Sequence, residues 1–159
     1  MILNATGSIL DSAAEAIVIP CNCVGITGAG LALAASKRWP EETARYQWVC
    51  RSNNLSPGKM VACPEHGWDG ENGFPDGRYV VWFPTKIHWK DPSRLEWIEA
   101  GLESLRADAE FIGWESISIP ALGCGLGGLR WADVRPLIEA AFADYAGTVH
   151  LYAPGSERE

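Results

Sequence analysis

Ala16-Ile17-Val18-Ile19-Pro20 is a short, unbroken apolar run, the pattern of a strand covered on both faces. Lys59 to Cys63, Arg78 to Phe83, Glu115 to Pro120 and Thr148 to Tyr152 read as further strands. Between them the apolar period becomes helical. Leu31 to Trp39 follows a run of glycines and is closed by Pro40, because the residue before a proline avoids the α region. Pro40 in turn suits the first turn of a second helix, with Glu41 and Glu42 at the positive end of its dipole. Leu95, Ile98, Leu102, Leu105 and Ala109 form one apolar stripe, and Ser93-Arg94-Leu95-Glu96 ahead of it has the form of a capping box. Val134, Leu137, Ile138, Ala141 and Tyr145 make the face of a last helix, with Pro136 in its first turn. Pro57-Gly58 marks a turn, Asp69 to Gly77 reads as a polar surface loop, and residues 155–159 should fray. Strands alternating with helices predict a three-layer α/β/α domain around a largely parallel sheet.

A length of 159 residues favours one domain, and a 47% hydrophobic content makes it globular. No apolar stretch approaches the roughly 18 residues that cross a bilayer, and the start lacks the basic-then-apolar pattern of a secretory leader. Five cysteines, an odd count without framework spacing, predict free thiols and a cytoplasmic location. Cys21-x-Cys23 and Cys63-x-x-His66 each lack a matching second pair, so neither a metal nor another cofactor is expected. Thirteen basic against twenty acidic residues give a formal charge of -7. A protein that tracks long nucleic acid by its phosphates is normally basic, so any such contact should be local. Small anions remain open, because backbone amides bind them without basic side chains. A monomer is expected.

Two glycine-rich turns carry the chemistry. Gly25-Ile26-Thr27-Gly28-Ala29-Gly30 follows Cys21-Asn22-Cys23, and Gly123-Cys124-Gly125-Leu126-Gly127-Gly128 follows Ile117-Ser118-Ile119-Pro120. A strand that ends in glycines brings bare backbone N–H groups to the edge of a sheet, which suits phosphate. Two such turns suggest a ligand with two phosphates, held between them. Gly123-x-Gly125-x-x-Gly128 also satisfies the dinucleotide-binding pattern. That pattern belongs after a first strand, with an acid ending the next one. Here it comes late, and the one following strand ends at Tyr152 and Ala153.

The order of motifs resembles a macrodomain, the ADP-ribose-binding fold, from about Asn4 to Ala153. The resembling pieces are Asn4 to Leu10, Asn22 to Leu31, Phe83-Pro84-Thr85-Lys86 and Ile119 to Leu129. Phe83 to Lys86 followed by His88-Trp89, together with the second glycine turn and Trp131, is most similar to the macrodomains of DarG antitoxins. Those remove ADP-ribose from thymine in single-stranded DNA. The resemblance implies a mixed, largely parallel six-stranded sheet, residues 1–154 as the domain, and ADP-ribose as ligand. It implies that Gly7, Ser8 and Ile9 belong to the ligand site and that Tyr152 borders the adenine. Asn22, Gly28, Gly30 and Leu31 would line the distal ribose. Gly123, Cys124, Gly125, Leu126 and Gly127 would wrap the diphosphate. Lys86 and Asn22 would be catalytic, with Thr85 in the ligand site beside them. Ser8 replaces the aspartate usual in the fold, a weaker acceptor for an adenine amino group. Gly127 replaces an aspartate that works with the lysine in the related glycohydrolase of glutamate esters. DarG antitoxins also continue into a toxin-contacting region, so toxin neutralisation by direct binding is not expected of these 159 residues.

Desolvation of Lys86 among Trp82, Phe83 and Trp89 would favour a neutral, nucleophilic amine able to attack the anomeric carbon. A charged Lys86 could instead give a proton to the departing base. On its own, a lysine just past a strand is ordinarily a solvated residue, and Asn22 is ordinarily a turn-former. Cys124 reads as a small buried thiol rather than a nucleophile. His88, Trp89 and Lys90 read equally well as a nucleotide-stacking cluster and as a solvated loop. The function expected is release of ADP-ribose from thymidine in single-stranded DNA. The competing expectations are an ADP-ribose-binding module without catalysis, and a hydrolase of glutamate-linked or small-metabolite ADP-ribose derivatives.

Overall fold

The computed structural model describes residues 1–67 and 77–155. Its elements, in chain order, are β1 (Ile2–Asn4), a 3-10 turn (Ile9–Asp11), β2 (Ala16–Cys21), α1 (Gly30–Arg38), α2 (Pro40–Arg51), β3 (Val61–Pro64), β4 (Tyr79–Pro84), α3 (Leu95–Ile112), β5 (Ser116–Ile119), α4 (Trp131–Ala141) and β6 (Thr148–Leu151). The strands form one sheet in the order β1-β6-β5-β2-β4-β3. Only the β3–β4 pair is antiparallel. The sheet is therefore mixed and largely parallel, as expected.

Alternation along β2 and β4 sorts the helices into two layers. Ala16, Val18, Val81 and Phe83 face one core, with Ile98 and Leu102 of α3 and Val134 and Ile138 of α4. Ile17, Ile19, Val80 and Trp82 face the other, with Ala35 of α1 and Tyr46 of α2. Trp82 stacks on Tyr46 with ring centroids 4.5 Å apart. On the opposite side α3 lies close to β4 because Gly101 offers no side chain to the Phe83 ring.

Several expectations shift at the ends of elements. β1 has three residues, half-buried at best, and carries no apolar run to announce it. The strand expected from Lys59 begins at Val61, after a turn in which the Lys59 N–H donates to Ser56 at 3.0 Å. The capping box does not form: Arg94 is the N-cap of α3 and no side chain caps it. Ser93 is instead buried against the second glycine turn, where its N–H donates to the Gly127 carbonyl at 3.0 Å. α4 begins at Trp131, so Pro136 sits in its second turn, and the helix ends before Tyr145. Tyr145 is buried all the same, and its hydroxyl donates to the Trp114 carbonyl. Most of the loop expected at Asp69–Gly77 and the tail after Gly155 lie outside the described residues.

Two features of the sheet create the site. β2 leads into α1 on one face, whereas β5 leads toward α4 on the other. Adjacent parallel strands whose connections part to opposite faces leave a crevice at their carboxyl ends. In addition, β2 pairs with β4 at six positions but with β5 at two, Ala16 with Ile117 and Ile17 with Ser118. Proline explains the early stop. The Cys21 carbonyl accepts from Thr85, beyond β4, so the alternate residue Pro20 turns its backbone toward β5. Pro20 has no N–H to donate there, and Pro120 after β5 has none either.

Candidate active site

Four neighbouring strands end at the crevice, and each sends a sequence motif into it. β6 delivers Tyr152, β5 the second glycine turn, β2 Asn22 and the first glycine turn, and β4 Thr85 and Lys86. The result is a cleft of about 690 Å³. Strands about 4.8 Å apart place Tyr152 and Lys86, three strand spacings away from each other, roughly 14 Å apart across it. The order along the cleft is therefore an aromatic ring, two amide-rich turns and an amine.

Asn22 is buried and its side chain is committed to the first turn. Its Oδ1 accepts from the N–H groups of Val24, Gly25 and Ile26 at 3.1, 3.0 and 3.2 Å. Its Nδ2 donates to the Ile26 carbonyl at 2.9 Å. Tyr46 supports it from α2, donating its hydroxyl to the Asn22 backbone carbonyl at 2.7 Å. One amide thus folds the turn, and the turn leads into α1 at Gly30, whose φ of 58° is left-handed. The second turn closes on itself: Gly128 N–H donates to Gly125 at 3.1 Å and Leu129 N–H to Gly123 at 2.9 Å. Ser93 backs it so tightly that a Cβ on Gly127 would lie 2.3 Å from the Ser93 hydroxyl oxygen. An aspartate could not replace Gly127 without moving that wall.

Lys86 is half-buried, and its Nζ donates to the Trp89 carbonyl at 3.2 Å. Cys23 fixes the backbone beneath it: its N–H donates to Ile87 at 2.9 Å and its thiol to the Lys86 carbonyl at 3.3 Å. Trp82 and Phe83 sit in the two cores, so of the three aromatics expected around Lys86 only Trp89 lines the cleft. Among the described residues, no aspartate, glutamate, histidine or arginine lines it, and Lys86 supplies its single amine. Burial, with the neighbouring Cys23 and Cys50, pushes the Cys21 thiol well up, and burial pushes up Cys124, whose thiol donates to the Leu122 carbonyl at 3.5 Å. Both are neutral thiols at pH 7, not nucleophiles.

Most sequence-predicted residues meet here: Ile9, Asn22, Gly28, Gly30, Leu31, Thr85, Lys86, Gly123 to Gly127 and Tyr152 all line the cleft. Gly7 and Ser8 do not. Ser8 caps the 3-10 turn, its hydroxyl accepting from the Leu10 N–H at 3.3 Å. Ile26, Ala32, Ala121 and Pro154 join the lining without having been singled out as site residues. Their signal is only proximity to the glycine turns and to the last strand.

Fold and cleft define an α/β domain whose two glycine turns and, among the described residues, one lysine line a cleft at the carboxyl edge of its sheet. The family model of the Macro domain matches residues 18–138, and the chain belongs to that family. Among curated proteins, it is 37% identical over 142 residues to a DNA ADP-ribosyl glycohydrolase of Mycobacterium tuberculosis, covering 89% of this chain and 39% of that one. Among solved structures, it resembles the macrodomain of Mycobacterium tuberculosis DarG with a TM-score of 0.89 at 35% identity, over 98% of this chain and 99% of the other. It also resembles Thermosipho africanus DarTG in complex with ADP-ribose, with a TM-score of 0.87 at 30% identity, over 99% of this chain and 43% of the other. The chain spans about two fifths of the length of the curated relatives it matches, 39% of the mycobacterial one.

Proposed function

We propose that this chain binds ADP-ribose along the cleft and hydrolyses it from thymidine in single-stranded DNA, with Lys86 as the reacting group. The observation that carries the reading is the lining: two amide-rich turns and one amine, with no carboxylate among the described residues. An adenine against Tyr152, a diphosphate between the turns and a ribose at Lys86 match the cleft in order and in length. The reading draws further support from the mycobacterial relative, a DNA ADP-ribosyl glycohydrolase by name. Five free thiols fit a reducing compartment such as the cytoplasm.

Glycoside hydrolysis commonly relies on a pair of carboxylates, one as acid and one as base or nucleophile. Among the described residues this cleft has neither, which favours covalent chemistry at the amine. The Lys86 amine attacks the anomeric carbon through its nitrogen lone pair. The carbon–nitrogen bond to the base breaks, its electron pair leaves with the base nitrogen, and that nitrogen takes up the proton that the attacking amine gives up. The ribose ring opens to give an iminium, and water adds to this, releasing free ADP-ribose and the amine. Backbone N–H groups hold the diphosphate with little reorganisation while this occurs.

Hydrolysis of a thymidine-ADP-ribosylated oligonucleotide tests the reading directly. Wild type should release ADP-ribose, and borohydride during turnover should trap an adduct at Lys86 visible by mass spectrometry. Lys86→Ala should lose at least about a hundredfold in rate, as expected when the covalent route is removed, while calorimetry shows retained ADP-ribose affinity. An active Lys86→Ala protein, or turnover without any adduct, would overturn the assignment. Binding without turnover in the wild type would leave a binding module instead.

A further inference from the structure

The surface changes character beyond the Lys86 end of the cleft. Ile26, Trp89 and Leu126 line the cleft, yet are 49%, 49% and 80% exposed. Large apolar side chains held open at the mouth of a site mark a contact surface. Its electrostatics run against those of the whole chain. The formal charge is -7, but between residues 86 and 91 Lys86 and Lys90 outnumber the single acid, Asp91, while Arg94 beyond them pairs with Glu96 at 3.7 Å. Lys90 Nζ lies 5.2 Å from the centroid of the Trp89 ring, and the His88 ring centroid lies 5.7 Å from it. The Trp89 carbonyl holds Lys86 Nζ, so the indole stands one residue's reach from the reacting amine.

Trp89 lines the cleft beside Lys86, with its indole half open to solvent. We propose that Trp89 and Lys90 form a subsite for the nucleotide next to the modified one: its base stacks on the indole and its phosphate meets the Lys90 ammonium. The proposal rests on the reading of the cleft as a hydrolase of ADP-ribosylated DNA. Stacking on an aromatic side chain needs a base with a free face, which a single strand offers and a duplex does not. Lys90, which lies over the ring, turns to the phosphate when a base stacks there. One ammonium meets one phosphate in a chain of formal charge -7, so the subsite reads a neighbouring nucleotide rather than a long strand.

The test compares ADP-ribosylated thymidine with a short single-stranded oligonucleotide carrying the same modified base, and with that oligonucleotide annealed to its complement. Wild type should prefer the single strand over both. Trp89→Ala should lose about tenfold more kcat/KM on the oligonucleotide than on the nucleoside, and Trp89→Phe should recover most of it. Lys90→Gln should flatten the salt dependence on the oligonucleotide by a slope of about 0.7, one phosphate contact's worth. Equal losses on both substrates, no wild-type preference for the oligonucleotide, or equal turnover of the duplex would overturn the subsite while leaving the hydrolase reading intact. No release from any substrate by the wild type would remove that reading, and this inference with it.

Discussion

A Cβ on Gly125 would meet nothing within 4 Å, whereas one on Gly127, two residues on, would lie 2.3 Å from the Ser93 hydroxyl and 2.6 Å from the Gly123 carbonyl oxygen. The two positions therefore separate binding from folding. Gly125→Glu should fold with wild-type thermal stability and place a carboxylate against the diphosphate. Like-charge repulsion of a few kcal/mol at a partly screened site corresponds to an affinity loss of about a hundredfold, readable by calorimetry with ADP-ribose. Gly127→Ala should instead be destabilised by about 1–3 kcal/mol through overpacking against a buried wall, measured by denaturant unfolding. Unaltered affinity in Gly125→Glu would mean that the phosphates lie elsewhere. Asn22 makes a related point. Its sequence context fits both a ligand contact and a turn-former, and the hydrogen bonds of its amide with Val24, Gly25 and Ile26 give it the second role at least.

At the scale of elements, the contact between α3 and β4 turns on one missing methyl group. A Cβ at Gly101 would lie 2.3 to 3.0 Å from three atoms of the Phe83 ring, which is fully buried. Gly101→Ala gains about 1 kcal/mol of helix propensity but forces the ring or the helix to move, at about 1–3 kcal/mol. The expected net is a loss of stability and a melting temperature lower by several degrees, checked by thermal unfolding. An unchanged or raised melting temperature would show that the ring yields. Long, patterned elements such as these were legible in the sequence. β2 and β4 announce themselves by apolar runs, and Pro40 divides α1 from α2 as its chemistry requires. Short or dual-purpose pieces were not. β1 has three residues, and its hydrogen bonds to β6 are backbone ones that no side-chain pattern encodes. Ser93 carries the right spacing for a cap, but it is buried against the second glycine turn, which accepts its backbone N–H and leaves its hydroxyl without a partner among the described residues. Ser8 belongs to a recognisable run of residues, yet its hydroxyl is spent on capping the 3-10 turn rather than facing the cleft. Local pattern specifies what an element is. It does not specify which neighbour wins a side chain with two possible uses.

At the scale of the whole molecule, one ionic cluster ties distant segments together. Glu65 accepts from Trp39 Nε1 at 2.8 Å and from Arg78 at 2.7 and 2.9 Å, while Arg78 also donates to the Ser12 carbonyl at 2.9 Å. Burial alone would raise the Glu65 carboxyl, but the Trp39 and Arg78 hydrogen bonds and the Arg78 charge outweigh it and hold it below the ordinary glutamate range. A carboxyl depressed in the folded state stabilises it above the unfolded-state pKa, and that contribution fades as acid protonates the folded carboxyl. Glu65→Gln should therefore cost about 1–3 kcal/mol at neutral pH, with the gap to wild type closing as the solution is acidified. Denaturant melts at a series of pH values check this; a gap constant with pH would mean that packing, not charge, is at work.

The unfinished ladder between β2 and β5 has a consequence of the same reach. Two rungs join these central strands, and above them two prolines leave the seam unstitched toward the rim of the sheet. On the proposed reading, a nucleotide-sugar lying across that gap would act as a non-covalent clasp between the two halves of the fold, so that filling the cleft would also stiffen the sheet.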